Sequence, residues 1–124
     1  MSGNMYEIKG VRQYPGEPVR RWFYGHEMDL TVWFSNDRSI TAFQLCYDKT
    51  TDHHAITWRK GEGFSHHRVD DGESPDSIGR FKGVPMLMTD GRFDGKRVAE
   101  YFAANRAEIP SRIADFVYAR LLSY

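Results

Sequence analysis

Between residues 20 and 70 the chain is one strand-like segment after another, and the breaks between them are too short to hold anything but turns. RRWFYG (20 to 25), DLTVWFS (29 to 35), SITAFQLCYD (39 to 48), HAITWRK (54 to 60) and FSHHRVD (64 to 70) are rich in β-branched and aromatic residues, several with clean alternation. Gly25-His26, the polar trio Asn36-Asp37-Arg38, KTTDH and Gly61-Glu62-Gly63 separate them, and all of these suit turns. Strands joined this closely pair as antiparallel neighbours, so the segment predicts a meander.

The flanks complete the outline. MYEIK (5 to 9) predicts a further short strand, followed by a loop punctuated by Pro and Gly, GVRQYPGEPV. Residues 71 to 83 read as a polar surface loop, and VPMLMT (84 to 89) is a short apolar run in which Pro85 favours a sheet edge or a strand start. Asp94 reads as an N-cap, after which Val98, Tyr101, Phe102 and Asn105 share one helical face. Pro110 suits the first turn of a second helix that carries Ile113, Phe116, Val117, Leu121 and Tyr124 at helical spacing. Strands first and helices last predict α+β in a single domain over 1–124. The expected architecture is an antiparallel meander of five to six strands, strongly twisted or curled, with two C-terminal helices packed on one face.

Side-chain parity then predicts the core. If the 36–38 turn pairs Phe34 with Ser39, then Leu30, Val32, Phe34, Phe43, Leu45, Tyr47 and Phe23 share one face. Trp22, Tyr24, Trp33, Ile40, Ala42 and Cys46 share the other. Val32, Phe43, Leu45 and Phe116 are the expected buried centre. Both faces are apolar, while two short helices cover only one. The second face therefore needs the 71–83 loop, a curl of the sheet, a ligand-lined groove, or a second copy of the chain forming a homodimer.

Composition narrows the function classes. Lys plus Arg equal Asp plus Glu at 17 each in 124 residues, so no charge bias favours nucleic acid or an anionic membrane. No apolar run reaches the 18 residues or so that a membrane span needs. The single Cys46 cannot form an internal disulfide and the first five residues carry no secretory pattern, which together predict a cytoplasmic protein. Aromatic residues make up 15%, which directs attention to where Trp22, Trp33 and Trp58 lie. Without a basic groove, they read as core or interface rather than as a base-stacking platform.

Four of the five histidines, His53, His54, His66 and His67, flank the Gly61–Gly63 turn, with Asp70, Asp71 and Glu73 close behind. Imidazole and carboxylate are common ligands of transition metals, so ligand or partner binding by His53, His66, His67, Asp70, Asp71 and Glu73 is one reading of the cluster. A register pairing Thr57 with His66 puts His53, His66 and Asp70 on one side, the metal candidates, and His54 and His67 on the other. No HExxH or Cys/His spacing accompanies them, so no cofactor is expected and a divalent metal is the alternative. Cys46 lies mid-strand with no helix N-terminus to activate it, and reads as structural. Asp70-Asp71-Gly72-Glu73 reads as turn chemistry before acid/base chemistry. GEGF lies between strands, so it is not a phosphate loop.

FQLCYD, then AITW, then GFSHHRVDDGE resembles an arrangement, FQLCYD…ALTW…GxxHHxVDDGE, shared by a family of small uncharacterised bacterial proteins. Ile56 stands where leucine is expected, and His54 where an acidic residue precedes the alanine. The resemblance implies a bacterial, cytoplasmic source and no particular reaction; the small-molecule ligand, if any, is unspecified. The sequence thus predicts a non-catalytic binding or protein-interaction module. A small metal-dependent or acid/base enzyme built on the His/Asp cluster of residues 48 to 73 is the alternative.

Overall fold

In the computed structural model, which describes residues 4–10, 13, 15, 19–69 and 94–124, six strands are followed by two helices. The strands are β1 (Tyr6–Glu7), β2 (Val19–Tyr24), β3 (Asp29–Phe34), β4 (Ile40–Tyr47), β5 (His54–Arg59) and β6 (Gly63–Arg68). The helices are α1 (Gly95–Ala104) and α2 (Ser111–Leu122). Every strand pairs antiparallel with its sequence neighbour, giving the order β1-β2-β3-β4-β5-β6. The sheet is open, with β1 and β6 outermost, so the described strands do not close into a barrel. The 71–83 loop, the 84–89 run with Pro85, and Asp70, Asp71 and Glu73 lie outside the described residues.

The helices define an inner face. Phe23, Leu30, Leu45 and Ile56 form one row across β2 to β5, and Val32 and Phe43 continue into Trp58 and Phe64 in the next. Phe23, Leu30, Val32, Phe43, Leu45 and Ile56 are fully buried against Val98, Ala99 and Phe102 of α1 and Ile113, Ala114, Val117 and Leu121 of α2. Each such side chain contributes roughly 1.5–3 kcal/mol on transfer from water, which makes this layer the main source of stability.

Two expected core assignments are corrected, at Ile40 and at Phe116. Ile40 was expected on the outer face, but a bulge between β3 and β4 pairs Phe34 with Ile40 and Trp33 with Ala42, leaving Thr41 as the extra residue. An added residue reverses the parity beyond it, so Ile40 turns inward and joins the core. Past the bulge, the turn is fixed by Asp37, whose Oδ1 accepts from the Ser39 amide at 3.0 Å, from Ser39 Oγ at 2.7 Å and from Ser35 Oγ. Those three donors hold its carboxyl far below the usual carboxylate range.

Asp94 caps α1 as expected, its Oδ1 accepting the Arg97 amide at 3.1 Å. At the other end Asn105 Nδ2 donates to Tyr101 O at 2.8 Å, and its carbonyl accepts the Met5 amide at 3.2 Å. That bond carries Met5, fully buried, into the core beside β1. Phe116 was expected to be nearly fully buried and is only half-buried. The stripe of α2 centres on Ile113, Ala114, Val117 and Leu121, so Phe116 falls at its flank. There it meets Trp58 edge-on at 5.3 Å, with the Arg120 guanidinium 4.9 Å from its ring.

The open edge of β2 is closed by a side chain. Gln13 donates Nε2 to Arg20 O at 2.9 Å and accepts the Arg20 amide on Oε1 at 3.1 Å, as a neighbouring strand would. This blocks strand addition at that position.

Candidate functional site

The structure rearranges the histidines. Arg59 pairs with Gly63, so the β5–β6 connection is a three-residue turn with Gly61 and Gly63 both at positive φ, +83° and +88°. Thr57 consequently pairs with Ser65 and not His66, one residue away from the expected register. A one-residue slip exchanges faces. His54 and His66 now share the inner face, and His67, paired with Ala55, points outward. The expected grouping of His53 with His66 is not found, and Asp70 lies outside the described residues. His53 precedes β5, and its carbonyl accepts the Val69 amide at 2.8 Å.

The third member of the inner cluster is Tyr47, which pairs with His54 across β4 and β5. Tyr47 and His54 are 4% and 6% exposed, and His66 is half-buried. Tyr47 Oη and His66 Nε2 are 2.5 Å apart, a bond that reaches across β5 and joins β4 to β6. Their ring centroids lie 6.0 Å apart with planes inclined by 4°, a side-by-side geometry set by that bond. His54 completes a triangle, 5.2 Å from His66 and 5.8 Å from Tyr47, with planes within 20°. Its Nδ1–H donates to Asp52 O at 2.7 Å, so in the neutral ring Nε2 is the unprotonated nitrogen. Nearby, Arg97 of α1 binds Asp48 Oδ2 at 3.1 Å, and Asp48 adopts positive φ of 53°. Among the described residues no three His, Cys, Asp or Glu side chains gather in metal-binding geometry.

The outer face carries the other candidates. Tyr6 pairs with Tyr24, Trp22 with Thr31, which in turn pairs with Gln44, and Trp33 with Arg20 and Ala42. Tyr6 and Tyr24 meet edge-on at 6.1 Å, and Trp22 and Tyr24 at 5.8 Å. Tyr6 is 53% and Tyr24 37% exposed, while Trp22 and Trp33 are half-buried. Toward β5 the same face closes: Ala42, Ala55 and Thr57 are buried, and Gln44 Nε2 donates to Thr57 Oγ1 at 3.2 Å. Burial and the neighbouring His54 hold the outward His67 imidazole below its ordinary range.

Between these regions Lys49 Nζ donates to Gly25 O at 2.8 Å, sits 3.9 Å from the Tyr24 ring centre and 3.4 Å from Asp29 Oδ2. Asp29 in turn pairs with Cys46, and burial together with that carboxylate pushes the thiol far up. Cys46 is therefore a protonated, structural thiol. Its reaction with a disulfide reagent at pH 8 should be slow in the folded protein and speed up strongly in denaturant; equal rates would show an accessible thiolate.

No helix among the described residues is long and apolar enough to cross a membrane. Neither family models, curated proteins nor solved structures yield a match to this chain.

Proposed function

We propose that the chain is a non-catalytic interaction module that pairs with a second copy of itself through the aromatic patch of its outer sheet face. The observation that carries this reading is the mutually braced set of the exposed Tyr6 and Tyr24 rings and the half-buried Trp22 ring on the face away from the helices. Rings held by their neighbours lose little conformational freedom on binding, the property that makes aromatic residues effective anchors. A zero net charge puts no long-range repulsion between copies. The Gln13 clamp on β2 favours side-chain packing over strand addition. Cys46 and the resemblance to small bacterial proteins support a cytoplasmic, bacterial setting.

Because Ala42, Ala55 and Thr57 are already buried, the available patch is confined to β1–β3. An interface of that extent falls below about 1,200 Å² in total, the range of weak complexes, so affinity should be on the order of micromolar. Sedimentation equilibrium over a wide concentration range should show a monomer–dimer transition in the wild type. The double variant Trp22→Arg, Tyr24→Arg should remain monomeric with unchanged circular dichroism. A wild type that stays monomeric throughout, or a double variant that dimerises equally, would overturn the proposal.

A further inference from the structure

The cluster of Tyr47, His54 and His66 lies on the opposite side of the sheet from that patch, and nothing in the interaction reading uses it. Of the buried polar side chains, Asn105 caps α1 and Thr57 bonds Gln44, so both have a structural task. His54 is an imidazole buried at the rim of an apolar layer and oriented by a main-chain carbonyl. We propose that Tyr47, His54 and His66 form a binding site for a divalent transition-metal ion of the zinc, cobalt or copper class.

Three features point to this chemistry. The bond from His54 Nδ1–H to Asp52 O fixes the proton on that nitrogen and gives Nε2 the lone pair, the arrangement by which proteins orient a metal-binding imidazole. The 2.5 Å contact brings a phenol oxygen and an imidazole nitrogen onto opposite sides of a single proton. A divalent ion can take that proton's place: the phenol proton leaves to solvent, the phenolate oxygen and imidazole nitrogen become donors, and the site gains one net positive charge. The third ring, His54, stands beside both, with centroid separations of 5.2 and 5.8 Å and planes inclined by 16° and 20°. Two imidazoles and a phenolate form a borderline N/O set, suited to this class of ions more than to magnesium or calcium. The ligands come from three successive strands, so an ion would also tie β4, β5 and β6 together.

The test is a titration of the purified, metal-free, full-length chain with Cu²⁺ alone and with Co²⁺ alone. One ion should bind per chain, with a raised melting temperature, release of a proton and, for Cu²⁺, a tyrosinate-to-copper charge-transfer band. Tyr47→Phe, which keeps the ring and so the packing, should abolish the band and the proton release. His54→Gln and His66→Gln should weaken affinity by at least about 10–100-fold, the loss seen when even a ligand's support is removed. His67→Gln and His26→Gln, on the outer face and an exposed turn, should leave binding unchanged. Absence of stoichiometric binding, a band that survives Tyr47→Phe, or equal losses in the His67 and His26 variants would overturn the site. Its failure would leave the sedimentation result untouched, and the reverse holds.

Discussion

Replacing Phe43 by alanine should cost about 3–5 kcal/mol, a large share of the roughly 5–15 kcal/mol that holds a domain of this size folded. Phe43 is fully buried on the inner face, flanked by Val32 on β3 and Trp58 on β5. It stacks on Trp58 at 5.9 Å with planes 23° apart. Neither neighbour can move in to fill the space, because each is fixed in its own strand. The lost transfer energy is therefore compounded by a cavity. Gln44, the next residue, points outward and makes one bond to Thr57, so Gln44→Ala should cost only about 0.5–1.5 kcal/mol. Urea unfolding of both variants checks the contrast. Similar losses at the two positions would mean that the faces of β4 are wrongly assigned.

The larger effect is expected at Val117. It is fully buried in the centre of the α2 stripe, between Ala114 and Leu121 and against the sheet. An aspartate there would place a carboxylate among apolar side chains. The group must either ionise without a partner or take up a proton, and either way the cost is several kcal/mol, comparable with the whole stability. Val117→Asp should lose helical and sheet signals together in far-ultraviolet circular dichroism, because the helices have no other surface to cover. Ala119→Asp, two residues on and exposed, should change stability by no more than about 0.5 kcal/mol.

The inner face was legible because strand parity tolerates some errors of register and not others. Phe34 was expected opposite Ser39, whereas the ladder pairs Val32 with Phe43 and Leu30 with Leu45, two residues away. A shift of two keeps every side chain on its face, so Leu30, Val32, Phe43 and Leu45 came out buried as expected. Shifts of one are unforgiving. The bulge at Thr41 turned Ile40 inward, and the three-residue turn with two positive-φ glycines exchanged His53 for His54 beside His66. Neither is visible in hydrophobic pattern alone, since Gly61-Glu62-Gly63 suits a two- or a three-residue turn. Met28 lies outside the predicted strands and Met5 opens one too short to show a period, so nothing local marks either as core. Tyr47 counted only as an apolar member of its strand, although a tyrosine whose inward parity meets a histidine two strands away was a signal for the cluster. Nothing in the sequence around Gln13 marks it as a partner of the Arg20 backbone.

The two sides of the sheet are assigned different roles, and the three tryptophans report on them separately. Trp22 and Trp33 lie on the outer face, while Trp58 packs on the inner side among Phe43, Phe116 and Arg120. Each contributes one indole N–H signal to an amide correlation spectrum. On dilution from high to low micromolar concentration, the Trp22 and Trp33 signals should shift together along one binding curve while Trp58 stays fixed. Three signals that do not move with concentration, or a Trp58 signal that moves as far as the other two, would contradict self-association through the outer face.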